Sequence, residues 1–330
     1  MGLEDKTVVD ALWDRAGVPR VASRVVPVAW DELVRAHEAL DLGRGTVWAA
    51  DNRLGWHGGA EFTRWVHDLA DAKATIDEFR PAADRIRVMP FLDGIPCSIH
   101  GMVFPDCVVA LRPCEMMVLR NPGSRSFRYA QAATFWDPRP SDREEMRETA
   151  RMVGAELRRS VGFRGAFTID GVLTAQGFRP TELNARFGAA LGLMGRGFPG
   201  LRLPLLNMAV VEGLEVDWRP RDLEADLLVA SDASRVAGGM TVVQSSPEPG
   251  KSWFRWKDGA WIPSLEEERD VEVVIGPSNG GTVLILRLVP ERLAVGNPVA
   301  PVIASLLCHL DAQLDLGIGP VEAAPDVRPA

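Results

Sequence analysis

The 330-residue sequence is short of lysine, of paired cysteines, of net positive charge and of long apolar runs, and each shortage closes off a class of function. Lysine occurs only at Lys6, Lys73, Lys251 and Lys257, so arginine carries nearly all the positive charge. A formal net charge of −8 leaves no basic field of the kind a general nucleic-acid binder uses. The four cysteines, Cys97, Cys107, Cys114 and Cys308, form no C-x-x-C pair and no zinc spacing; buried thiols in a reducing compartment are expected. No apolar run reaches the roughly 18 residues of a membrane span, and the N-terminus lacks a basic-then-apolar leader. A cytoplasmic protein with neither nucleic acid nor membrane as a partner is therefore expected. Walker A, G-x-S-x-G and H-E-x-x-H strings are also missing. One G-x-G-x-x-G string, Gly195 to Gly200, follows the wrong kind of element, contains Pro199 and has no acidic residue about twenty positions on.

What is present centres on Gly162 to Gly188, GFRGAFTIDGVLTAQGFRPTELNARFG. It reads as two strands joined by a glycine-bearing turn. Asp170 closes the first strand, and Glu182, Asn184 and Arg186 alternate on the second. Side chains two residues apart on a strand share a face. Two oxygen-donating groups and a guanidinium thus point into one space, with Asp170 across from them. Oxygen donors without His or Cys suit Mg²⁺ shared with phosphates, and Arg suits a planar, multiply charged group. The bland alternative is the solvated edge of an antiparallel pair, with Arg186 merely pairing Glu182.

Elsewhere the periodicity predicts helices over 5–17, 30–42, 61–69, 72–79, 203–212 and 298–314, with a further one from a Ser141 cap to Val161 and Glu144 at the capping-box position. Strands are expected at 46–50, 85–91, 97–104 and 108–111. Residues 112–139 read as a long irregular loop, of a kind usually functional or mobile. Arg112 and Glu115 at its start are candidates to face substrate, with a surface salt bridge as the plainer reading, and Arg120, Arg125 and Arg128 could draw in an anion. Lys257–Ala260 and Asn279–Gly281 sit between apolar stretches as hairpin turns. The last dozen residues, rich in Pro and Ala, read as a disordered tail.

This order of elements resembles the ATP-grasp superfamily over residues 4–212, most specifically through the E-x-N-x-R form of Glu182-Leu-Asn-Ala-Arg186. The resemblance implies an α+β fold: a two-subdomain core (1–88 with a glycine loop, 89–213 with a metal site), then a C-terminal α+β region rich in β-hairpins (214–318) and the tail (319–330). It implies ATP and Mg²⁺ as cofactors, with Asp170, Glu182 and Asn184 as metal ligands. Arg186 would contact the transferred phosphoryl or acyl-phosphate group; Arg112 is the second catalytic candidate, from its place at the start of the 112–139 loop. Lys6 would reach a nucleotide phosphate. Gly55, Gly58 and Gly59 would form a lid over the phosphates, and Phe91 and Leu92 would be the hinge that meets adenine. The activity implied is a carboxylate–amine ligase acting through an acyl phosphate on small-molecule carboxylate and amine substrates. A degenerate nucleotide-binding scaffold and an ATP-grasp kinase are the alternatives. Two departures stand out. The strand before the glycine loop reads TVWAAD, with Ala49 or Ala50 where the family carries Lys, and Met89-Pro90 replaces an acidic residue at the hinge. The Rossmann-like domain that precedes this core in many family ligases has no counterpart in the sequence, so either a separate N-terminal-domain partner supplies it or the C-terminal region recognises substrate instead; a homo-oligomer is the other partner expected.

Overall fold

The chain's first apolar stripe behaves as its spacing predicts. Helix α1 (Val9–Ala16) buries Val9, Leu12 and Trp13 and ends at Gly17, whose left-handed φ of 70° closes the helix. The computed structural model describes residues 2–51, 53, 60–198 and 200–328. Gly55, Gly58 and Gly59 of the expected lid lie outside the described residues.

After α1 come β1 (Arg24–Pro27), α2 (Trp30–Leu40), β2 (Thr46–Ala50), β3 (Thr63–Val66), α3 (Leu69–Phe79) and β4 (Arg85–Pro90). The four strands lie in the order β1-β4-β2-β3. One face packs on α2 and α3 through Leu33, Trp48, Ile76, Phe79, Ile86 and Val88. The helix expected over 61–69 is instead β3 and a short link. Asp68 then caps α3 by accepting hydrogen bonds from the amides of Ala70 and Asp71. Four residues are too few for a period of two to stand out from helical spacing.

The second stretch holds β5 (Ile95–Val103), β6 (Val108–Ala110), β7 (Cys114–Asn121), β8 (Ser126–Ala133), α4 (Pro140–Val161), β9 (Gly165–Thr174) and β10 (Gly177–Asn184). Its strands continue the same sheet in the order β8-β7-β5-β9-β10, with β6 beside β5, making ten strands in all. Arg64 of β3 opposite Ser126 of β8 is the pairing that joins the two stretches. The boundary expected at 88/89 falls inside β4. Helix α4 lies close against β6 because Gly154 leaves room there, where a Cβ would meet Val108 at 2.6 Å. On β5, Gly101 leaves room for the Phe167 ring of β9, which a Cβ would meet at 2.4 Å. The capping box expected at Ser141 does not form. The N-cap position is Arg139, without a side-chain cap, and Pro140 opens the helix.

The expected loop over 112–139 is corrected to the β7–β8 hairpin, turned by Pro122–Arg125. It escaped the sequence reading because both faces are covered. One looks into a cavity, and the other packs Met117, Leu119, Ala130 and Ala133 against the C-terminal part, so no polar alternation appears.

That part follows α5 (Ala189–Met194), α6 (Leu203–Glu212) and α7 (Pro220–Ala233). Strands β11 (Gly239–Val243), β12 (Gly250–Lys257), β13 (Ala260–Pro263), β14 (Val271–Ser278) and β15 (Gly281–Leu288) form a five-stranded antiparallel sheet, and α8 (Ala300–Leu314) closes it. The two expected hairpins are β12–β13 and β14–β15. The fold is α+β. Among the described residues no helix is long and apolar enough to cross a membrane.

The C-terminal segment, expected to be disordered, is docked through residue 328. Glu322 and Arg120 exchange backbone hydrogen bonds, Trp136 Nε1 donates to Asp326, and the Arg328 guanidinium bonds the buried Asp142 and the carbonyl of Ala175. Low apolar content concealed this because the anchors are polar.

Helix α8 depends on one buried carboxylate. Glu115 accepts hydrogen bonds from the amides of Val299 (2.6 Å) and Ala300 (2.9 Å), capping the helix from the neighbouring strand. Burial outweighs those bonds and raises its pKa from the usual 4.5 to about 7. The contribution of this group to stability is thus present in full below 4.5 and lost as pH rises through about 7. Glu115→Gln should lower the difference in melting temperature between pH 5.5 and pH 8. Glu115→Ala, which strands two amides, should cost roughly 2 kcal/mol in chemical denaturation.

Candidate functional site

Five strands of the large sheet turn one face each toward a single cavity of about 510 Å³. The period of two is visible strand by strand. Gly94, Pro96, Ser98 and His100 line it from the start of β5, Thr168, Asp170 and Val172 from β9, Met116, Val118 and Arg120 from β7, and Phe127 and Tyr129 from β8. Glu182 and Asn184 come from β10, with Arg186, Phe187 and Gly188 just beyond it. The opposite wall is Val47 of β2 and the run Met89 to Leu92.

The register explains how the acidic and amide groups meet. Ser98, Asp170 and Glu182 stand in one row across β5, β9 and β10, and His100, Thr168 and Asn184 in the next row on the same face. Asp170 is the node. Its carboxylate accepts from Ser98 Oγ at 2.5 Å and from Asn184 Nδ2 at 2.8 Å. The amide oxygen of Asn184, the atom a cation would take, is not used in that bond. Burial, followed by the facing charge of Glu182, raises the Asp170 pKa well above the usual carboxylate range, while the Ser98 and Asn184 bonds and Arg186 oppose the shift. Two carboxylates facing one another at the edge of a cavity, with an amide beside them, form an oxygen-only donor set that fits Mg²⁺. Among the described residues no group of three or more His, Cys, Asp or Glu assembles.

The positive groups hold short contacts of their own. Lys6, which precedes α1, lies 3.8 Å from Glu182, and Arg186 pairs with Glu4. Phe91 of the expected hinge stacks on Trp65 with centroids 4.4 Å apart, and its amide donates to Gly45. Lys6, Phe91, Leu92, Asp170, Glu182, Asn184 and Arg186 are thereby brought together around one space.

Arg112 is elsewhere. Its side chain is 1% exposed and is taken up by Asp137, by Asp232 at 2.7 Å and by the carbonyl of Pro113. It ties the end of β8 to α7, and does not line the cavity. Glu115 likewise faces neither substrate space nor solvent. Ala49, on the same face of β2 as Val47, leaves the cavity without the Lys expected there. Arg53, just beyond β2, does not line the cavity and bonds the carbonyls of Pro81 and Ala82.

Sequence reading assigned no role to His100 and passed over Ser98. Both lie in the rows of Asp170 and Asn184, and the period-two string Gly94, Pro96, Ser98, His100 was the signal that could have found them. Burial lowers the His100 pKa to about 4, so it stands neutral in the wall.

No family model matches this chain, and no curated protein matches its sequence. Solved structures do. The chain is similar to carboxyaminoimidazole ribonucleotide synthase from Aspergillus clavatus complexed with ATP, at 13% identity and TM-score 0.61, covering 94% of this chain and 74% of that one. It is also similar to the biotin carboxylase domain of Hydrogenobacter thermophilus 2-oxoglutarate carboxylase with MgADP, ADP and bicarbonate, at 13% identity and TM-score 0.58, over 87% and 62%. A third likeness is to the L-amino acid ligase of Bacillus licheniformis, at 14% identity and TM-score 0.55, over 87% and 68%. The chain thus spans between 62% and 74% of the lengths of these three. The fold is ATP-grasp.

One buried cation holds the acidic rows in place. Arg87 of β4, 1% exposed, donates to both oxygens of Asp10 on α1 and to the carbonyl of Thr181 at 2.9 Å. Thr181 is the point where the β9–β10 register shifts before Glu182. Arg87→Met should destabilise the protein by roughly 3 kcal/mol, because it leaves Asp10 with only the Ser23 hydroxyl and the Thr181 carbonyl without its donor. Arg87→Lys should recover little of this, since one ammonium cannot serve both. Denaturant melts of the two variants check both statements.

Proposed function

We propose that this chain is an ATP-dependent carboxylate–amine ligase. The observation that carries the reading is the single cavity in which the Asp170–Glu182–Asn184 set, Lys6, Arg186 and the Phe91–Leu92 hinge converge. The ATP-grasp fold and the nucleotide held by two of the similar structures support it. Adenine would lie at the hinge, and the phosphates over the row of Ser98, Asp170 and Glu182. The acceptor would sit beyond, toward His100, Thr168 and Arg186. Asp170, Glu182 and Asn184 would hold Mg²⁺, which when bound neutralises charge on the phosphate oxygens.

The chemistry proceeds in two displacements. An oxygen of the substrate carboxylate bonds to the γ-phosphorus as the bond from that phosphorus to the β-phosphate oxygen breaks, giving an acyl phosphate and ADP. The amine nitrogen then bonds to the acyl carbon, phosphate leaves, and the amine's proton passes to phosphate or solvent. Lys6 and Arg186 place fixed positive charge beside the group in transfer, releasing Glu182 and Glu4 to do so. No nucleophilic side chain is required.

Phosphate release from ATP, measured with Mg²⁺ over a panel of carboxylates paired with amines, tests this. The native protein should show release that depends on both substrates, and Asn184→Ala and Asp170→Asn should lower it about a hundredfold. No nucleotide-dependent stabilisation and no turnover across the panel would leave a binding scaffold as the reading. A stable phosphorylated product without an amide in the mass spectrum would make the protein a kinase.

A further inference from the structure

The nucleotide end of the cavity lacks the cation its fold leads one to expect, because Ala49 stands on the cavity face of β2. A different cation is built into the wall opposite. Arg120 of β7 lines the cavity, and its side chain is only 9% exposed. One of its nitrogens, Nη2, is occupied by the C-terminal segment, 3.3 Å from both the carbonyl of Ala323 and Glu322 Oε1. The other two, Nε and Nη1, are buried without a hydrogen-bond partner. Asp93 Oδ1 is unpartnered as well and stands 3.6 Å from Nη1, too far for a hydrogen bond. The second oxygen of Asp93 is served by Arg44 at 3.1 Å.

An arginine with two buried, unused donors is costly unless something accepts from them. Strand β7 runs antiparallel to β5 from the pairs Cys97–Glu115 and Ser98–Cys114, so its later residues lead back toward the start of β5. The Arg120 guanidinium carbon lies 5.7 Å from the centroid of Phe91. That is the hinge end of the cavity, away from the acidic rows.

We propose that Arg120, held in place by residues 322 and 323, binds the nucleoside half of the nucleotide and supplies the cation missing from β2. This rests on the nucleotide reading of the cavity given above. Ribose oxygens and base ring nitrogens accept hydrogen bonds, and Nε and Nη1, on opposite sides of the guanidinium, each hold a donor for one such acceptor. The C-terminal segment is part of the same device: it fixes Nη2, and Ala324 lines the cavity beside it.

The test is calorimetric titration of the full chain with MgADP and, separately, with magnesium tripolyphosphate, which lacks the nucleoside. Arg120→Gln should weaken MgADP about tenfold or more and leave tripolyphosphate within twofold. Arg120→Lys should weaken MgADP by a smaller factor and likewise spare tripolyphosphate. Native affinity for MgADP in Arg120→Gln overturns the proposal while leaving the nucleotide cavity standing. Equal losses for both ligands overturn it too, because they mark a purely structural arginine. A native protein that binds neither ligand overturns this proposal together with the nucleotide reading. Should Arg120→Gln not fold, Arg120→Lys decides alone: unaltered MgADP affinity sinks the idea.

Discussion

Arg87 is the interaction on which the rest of the architecture hangs. It sits on the strand that ends the first structural stretch, yet none of its bonds serve that strand. They reach back to α1 and across to the irregular point in β10. Because side chains alternate along a strand, the local shift at Thr181 decides whether Glu182 and Asn184 face the cavity or its reverse. A guanidinium can hold that geometry because it is planar, permanently charged and able to donate in several directions. Asp170, Ser98 and Asn184 then lock to one another in the rows that follow. The acidic face is thus secured from outside by one cation and from inside by hydrogen bonds among its own members.

How far the sequence disclosed this depended on whether burial left a pattern. The Asp170, Glu182 and Asn184 grouping was legible because its strands carry polar residues toward the cavity at a strict spacing of two. Helices α1 and α6 and the two C-terminal hairpins were legible for similar reasons, through a stripe, a capping glycine or a turn dipeptide. The β7–β8 hairpin was not, because a strand buried on both faces with charged residues inside it mimics a loop. Arg112 and Glu115 misled for the same cause. Charged side chains signal solvent or substrate in a sequence, whereas here they are paid for by buried ion pairs and a helix cap. The docked C-terminal segment was illegible because its anchors lie in other parts of the chain, at Arg120, Trp136, Asp142 and Ala175.

The walls of the cavity are built independently of one another. The face of β2 that carries Trp48 and Ala50 is the packed one, so the other face can change without disturbing the strand. The walls are separate strands that share a space without sharing side chains, so a cation can be supplied from whichever wall has room. Low sequence identity alongside a shared fold is what such interchange produces: the positions of charge matter more than the elements that carry them.

The docked end of the chain has a consequence for synthesis. Lys6 and Ala324 meet the same cavity, though more than three hundred residues separate them in order of translation. A ribosome-bound chain could complete both sheets and the acidic rows before residues 322–328 had left the exit tunnel. The cavity would then stand open on one side until that segment emerged to dock.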